Sequence, residues 1–145
     1  MGYRSQIVSG VPMAEKEKVL EALEINEKQF DKINILKDDD RDIEYFIWYA
    51  DYWKWYDTYD DVIKYEKLIE KINESNDYCH PADLDDQKYA FLLVLGEDGA
   101  AVREIGADLA SEFGFAIHST ITNIDSLESP IEYDEQWKLR GLWQV

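Results

Sequence analysis

A single cysteine, Cys79, stands in this 145-residue chain. That excludes an intrachain disulfide framework and a thiolate zinc cluster, and it fits a reducing compartment. Long apolar runs are missing too: no stretch approaches the roughly 20 residues of a membrane-spanning helix. The N-terminus has no basic stretch followed by an apolar one, and Gln6 stands where a myristoylation signal needs a hydroxyl residue, so neither export nor a lipid anchor is expected. Bases are scarce. Fifteen Lys and Arg face 32 Asp and Glu, a formal charge of −17. Such an excess opposes direct binding to DNA, RNA or an anionic membrane surface, and makes a basic protein the expected partner. There is no internal repeat and no low-complexity linker.

What is present suffices for a core. Hydrophobic residues make up 46% of the chain and aromatics 14%, and a globule of this length buries roughly 70% of its unfolded surface. The pattern predicts a strand over residues 3–11 that stops at Pro12, then a helix from Met13 to about Ile25 with Val19, Leu20 and Leu23 on its inner side. Phe30, Ile33 and Ile35 lead into an acidic loop, Asp38 to Asp42, and the run Ile43 to Tyr49 returns as its hairpin partner; a longer first helix through Leu36 competes. Ile43, Tyr45, Ile47 and Tyr49 alternate with Phe46 and Trp48, so both faces of this strand are apolar, which suits a central strand. A second helix begins near Asp60 or Asp61 and buries Val62, Tyr65, Ile69 and Ile72. Residues 76–87 read as a loop, Tyr89 to Leu95 as a strand, Gly96-Glu97-Asp98-Gly99 as a tight turn, Ala101 to Ile105 as its partner, and Phe113 to Ile124 as a last strand. The expected fold is therefore α+β: a single domain over residues 1–125, mainly antiparallel, in the order β-α-β-β-α-β-β-β. An aromatic C-terminal extension, residues 126–145, is expected to pack on the domain or on a second copy.

Most candidate sites for chemistry fall short on spacing. Asp38, Asp40 and Asp42 alternate like the first ligands of a calcium loop, but Ile43 stands where the loop needs Gly and Tyr49 where it needs a bidentate Glu. Cys79 and His80, with Asp83, Asp85 and Asp86, offer one thiol and one imidazole with no second pair at metal-binding spacing; His118 lies on the predicted last strand. The Gly96–Gly99 turn lacks the Gly-Lys-Ser/Thr ending of a phosphate loop, and its carboxylates would repel phosphate. Carboxylate pairs are too abundant for any one to mark a catalytic site. No metal, no cofactor and no enzymatic activity are expected.

One feature is concentrated. Residues 37–61 hold 9 acids against 3 bases, and residues 45–61 hold 9 of the chain's 20 aromatics. Most of these rings are expected in the core, but neither a strand nor a loop can bury all of them. Aromatic anchors among carboxylates suit an Arg- and Lys-rich counterpart. The expected partner-binding residues are Asp38, Asp39, Asp40, Asp42, Asp51, Trp53, Trp55, Tyr56, Asp57, Tyr59, Asp60 and Asp61.

Met1-Gly2-Tyr3-Arg4-Ser5, Lys54-Trp55-Tyr56-Asp57 and Gly96-Glu97-Asp98 occur in an order and approximate spacing that resembles a group of small acidic proteins of bacteriophages and prophages, over residues 1 to about 124. The resemblance implies a phage origin, expression in the host bacterial cytoplasm, and a part in host takeover or defence evasion; it brings no catalytic residue. Charge and resemblance together lead to the expectation of a non-catalytic inhibitor of a basic, nucleic-acid-binding host protein. It would be an acidic nucleic-acid mimic of anti-CRISPR or anti-restriction type. The alternatives are an assembly protein, for instance a homodimer, associating through Trp137, Leu142 and Trp143, or a small-ligand binder using the Cys79-His80 loop.

Overall fold

The structure is a computed structural model, and it describes residues 5–39, 42–56, 58–74, 88–96, 102–117 and 121–127. The first strand, β1 (Ser5–Pro12), is buried along nearly its whole length. Proline, which has no N–H to extend a ladder, ends it. A 3-10 turn, Met13–Glu15, leads into α1 (Lys16–Leu23), whose inner face is Val19 and Leu23. Glu24, in the left-handed region at φ 58°, stops the helix there, so the longer helix through Leu36 does not form. Instead β2 (Lys32–Asp38) and β3 (Ile43–Trp53) pair antiparallel as the expected hairpin. Then follow α2 (Asp60–Glu74), β4 (Phe91–Gly96), β5 (Val102–Ile105) and a short α3 (Ala107–Glu112). Asp60 and Asp61 in the first turn of α2 complement the positive end of its dipole.

The five strands form one antiparallel sheet in the order β2-β3-β1-β4-β5. Strands β1 and β2 run parallel with β3 between them, and β3 and β4 run parallel with β1 between them. Two split β-α-β units thus interlock, the ferredoxin-like connectivity, with β5 added at one edge. The aromatic strand β3 is interior, paired on both sides, as its two apolar faces predicted. Alternation divides the core in two. Ile7, Val11, Phe46, Trp48, Leu92 and Val94 face α1 and α2, packing on Val19, Leu23, Tyr65 and Ile69. Val8, Tyr45, Ile47, Phe91 and Leu93 face the other way, onto Leu109, Phe115, Ile121 and Leu127.

The chain is thus a single α+β domain, but its last element differs from the expected strand over Phe113 to Ile124. After α3, the described residues hold one bridge, Ile117 to Ile121, and a 3-10 turn, Ile124–Ser126. Local side-chain bonds take the place of a ladder. Thr122 Oγ1 donates to the Gly114 carbonyl at 3.0 Å and accepts from the Ala116 N–H at 3.0 Å, while Asn123 Nδ2 donates to the Phe113 carbonyl at 2.8 Å. Gly114 at φ 89° and Asn123 at φ 66° turn the backbone further away from extension. The segment serves as a plug, inserting Phe115, Ile121 and Leu127 under the sheet. Among the described residues no helix is long and apolar enough to cross a membrane. The extension beyond Leu127 lies outside the described residues.

Candidate functional site

A bulge in β3 builds the most distinctive surface. From Ile7 to Ser5 on β1, the partners on β3 jump from Ala50 to Trp53, while the same β1 residues keep a regular register with β4. One extra residue is therefore accommodated at Asp51–Tyr52. Strict alternation would place Trp53 on the Tyr49 face. The bulge brings it back to the face of Trp48 and Ala50, where its ring lies 5.7 Å from Trp48 and 6.4 Å from Phe30. Asp31 secures the irregularity: its N–H donates to the Tyr49 carbonyl at 3.0 Å, and its Oδ2 accepts the Asp51 N–H at 2.6 Å. Beside these carboxylates, burial pushes the Tyr49 hydroxyl up to about 12, with Asp51 and Asp31 acting in the same direction.

The result is a groove of about 420 Å³ between the end of α1, the bulged end of β3 and the start of α2. Its apolar lining is Leu23, Ile25, Ala50, Trp53 and Tyr59; its carboxylates are Asp31, Asp51 and Asp61, with Lys54 the one base. Tyr59 is 39% exposed and meets Tyr56 edge to face at 4.9 Å. Through Ile25 and Gln29 the groove runs into a shallow concavity over α1 that carries Glu17, Glu21 and Glu24. Six carboxylates line this continuous surface against Lys54, and Lys64 pairs with Glu24 at 3.4 Å, so an approaching cation meets an excess of negative charge.

Four of the residues predicted from sequence, Asp51, Trp53, Tyr59 and Asp61, converge there, and Asp60 lies exposed beside them. The rest separate. Asp38, Asp39 and Asp42 sit at the β2–β3 turn, the far end of β3, about 26 Å away over the eight residue steps from Ile43 to Asp51 at ~3.3 Å per strand residue. Asp38 is buried, at 8% exposure, and so is not presented to a partner. Asp42 is ion-paired with Lys37 at 3.0 Å, which holds the Lys37 ammonium above its usual range. Trp55 is also a correction: at 8% exposure it belongs to the core, donating its indole N–H to Glu66 at 3.2 Å and meeting Tyr65 edge to face. Its position after the bulge returns it to the interior, which a count by twos cannot foresee. Asp40, Asp57, Cys79, His80, Asp83, Asp85, Asp86, His118 and the Glu97–Gly99 turn lie outside the described residues. The sequence reading missed Asp31, Leu23, Ile25 and Lys54 as groove residues; Asp31, two residues before Ile33 at the mouth of a predicted strand, carried no signal that it would reach across to β3.

Two other features are accounted for by structure. The groove between α2 and β5, about 400 Å³, mixes Glu66, Glu70 and Glu74 with Lys67, Lys88 and Arg103, and Arg103 is paired with Glu66. Its charges balance. The buried hydroxyls of Ser9 and Tyr65 are bonded to each other and to Phe91 and Trp48, away from solvent. Among the described residues no group of His, Cys, Asp and Glu is placed to hold a metal ion. No protein-family model, curated protein or solved structure matches the chain.

Proposed function

We propose that this protein is a non-catalytic binding protein whose Asp31–Asp51–Asp61 groove and α1 ridge dock a basic, nucleic-acid-binding protein in place of that partner's nucleic acid. The observation that carries this reading is the convergence of three carboxylates with Trp53 and Tyr59 in one groove of a chain of charge −17. Carboxylates would take phosphate positions and steer encounter; half-buried rings would slow dissociation. The phage resemblance of the sequence adds a setting, the cytoplasm of an infected bacterium, and a role as an inhibitor of host defence or nucleic-acid metabolism.

The test is capture by the tagged full chain from nuclease-treated bacterial lysate, compared with a D51N/D61N variant. Neither substitution removes the Asp31 contact that holds the bulge. Two lost charge-assisted contacts at about 1.5 kcal/mol each weaken binding by roughly a hundredfold. A basic complex that is displaced by duplex DNA, falls away between about 0.1 and 0.5 M salt and is lost with the variant fits the proposal. Capture equal in both proteins, or indifferent to DNA, refutes it.

A further inference from the structure

The C-terminal extension has a charge pattern unlike the rest of the chain. Residues 128–136 hold Glu128, Glu132, Asp134 and Glu135; residues 137–145 hold no Asp or Glu, and carry Lys138 and Arg140 among Trp137, Leu139, Leu142 and Trp143. The chain enters this extension from a fixed point. Leu127 is buried against the second face of the sheet, and the Ser126 carbonyl accepts Asn34 Nδ2 at 3.2 Å on the edge strand β2. Asn34 lies three residues from Asp31 on the groove wall, about 10 Å along the strand. The nine residues 128–136 reach up to ~30 Å. A basic, aromatic segment is thus tethered within reach of an acidic, aromatic groove, and the acidic stretch before it is disfavoured there by the same charge.

We infer that residues 137–145 dock into the Asp51–Trp53–Tyr59–Asp61 groove of their own chain, and that an external basic partner must displace them. Tethering at this length supplies an effective concentration on the order of millimolar, so an intrinsic affinity of ~0.1–1 mM fills the groove half or more of the time. Apparent affinity for an outside partner then falls by roughly two- to tenfold. The inference rests on the groove being a binding surface, and adds that the chain carries its own competitor.

The experiment is ¹H–¹⁵N NMR of the full chain against a K138E/R140E variant, which needs no external partner. The expected result is a shift of the Asp31, Asp51, Lys54 and Asp61 amides and the Trp53 indole, with Ser9, Tyr65 and Leu93 unmoved. A peptide of residues 137–145 added to the variant at millimolar concentration should restore the original positions. Changes confined to residues 128–145, or a peptide that moves no groove resonance, overturn the inference. Groove shifts that grow with protein concentration assign the occupant to a second copy and overturn docking within one chain. In lysate capture, the variant should retain several-fold more partner than the parent. NMR coupling without any captured partner would refute the proposed function and leave the tethered competitor standing.

Discussion

Tyr65→Phe tests how the helices are held to the sheet. Tyr65 is fully buried on α2, with its hydroxyl 2.5 Å from Ser9 Oγ on β1 and 3.0 Å from Trp48 Nε1 on β3. The single Ser9 proton goes to the Phe91 carbonyl of β4, at 2.6 Å. Tyr65 must therefore donate to Ser9 and accept from the indole, and the bonds run in one direction from Trp48 through Tyr65 and Ser9 to Phe91. Phenylalanine keeps the ring and its edge-to-face contacts with Trp48 and Trp55, so little packing is lost. What remains is an indole N–H, in the most buried layer of the molecule, without its acceptor. Leaving a buried donor unsatisfied costs about 1–3 kcal/mol. With a urea slope of about 2 kcal/mol per molar, a 2 kcal/mol loss moves the midpoint down by about 1 M at unchanged slope. A double-mutant cycle with Ser9→Ala should show the two changes coupled by more than about 0.5 kcal/mol, since both interrupt one chain of bonds. A midpoint within experimental error of the parent, or strictly additive losses, would refute the account.

Two further predictions concern stability. Gly106 precedes α3 at φ 65°, and a Cβ there would lie 2.5 Å from the Ala90 carbonyl oxygen; Gly106→Ala should cost about 1–3 kcal/mol from strain and overpacking, read by the same urea titration, and an unchanged midpoint would show that this turn is laid out differently. In alkali, burial holds the Tyr65 hydroxyl far above its ordinary range, and Tyr49 is pushed up to about 12 by burial and then by Asp51 and Asp31. The unfolded chain releases these protons near pH 10 while the folded chain keeps them, so stability is intact below pH 10. It falls between pH 10 and 12 by about 1.4 kcal/mol per pH unit for each tyrosine. Tyr49→Phe should make that decline shallower, and an identical slope in the variant would sink the assignment.

Much of the fold was legible because hydrophobic period and turn chemistry agreed. Val62, Tyr65, Ile69 and Ile72 marked the inner face of α2, and the buried alternation of Tyr45 to Tyr49 marked an interior strand. Strands β4 and β5 paired as expected. The plug after α3 was not legible, since Phe115, Ile117 and Ile121 have strand-like spacing and only Thr122 and Asn123, bonding back to the chain, disclose the turn. The six residues of α3 are too few to display a helical period. The site was half legible. Composition marked residues 45–61 as aromatic and acidic, but a single extra residue at Asp51 decides which rings turn inward.

That extra residue also bears on which acidic surface matters. Both faces of the sheet are covered, by α1 and α2 on one side and by α3 and the plug on the other, so among the described residues a partner meets edges, ends and helix backs. At the β2–β3 turn, Asp42 is compensated by Lys37 and Asp38 is withdrawn; exposed pairs of that kind contribute little. Along the back of α1, Glu17, Glu21 and Glu24 flank Leu20 and Ile25 with no aromatic ring among them, and Glu24 is paired with Lys64. At the bulged end of β3, carboxylates stand beside Trp53 and Tyr59 in a concavity whose walls exclude part of the water. Charge interactions strengthen as solvent is excluded, and aromatic anchors are strongest where they are half covered already. Of these three acidic regions among the described residues, only the groove combines these conditions, and they exist there because β3 holds one residue more than its neighbour β1.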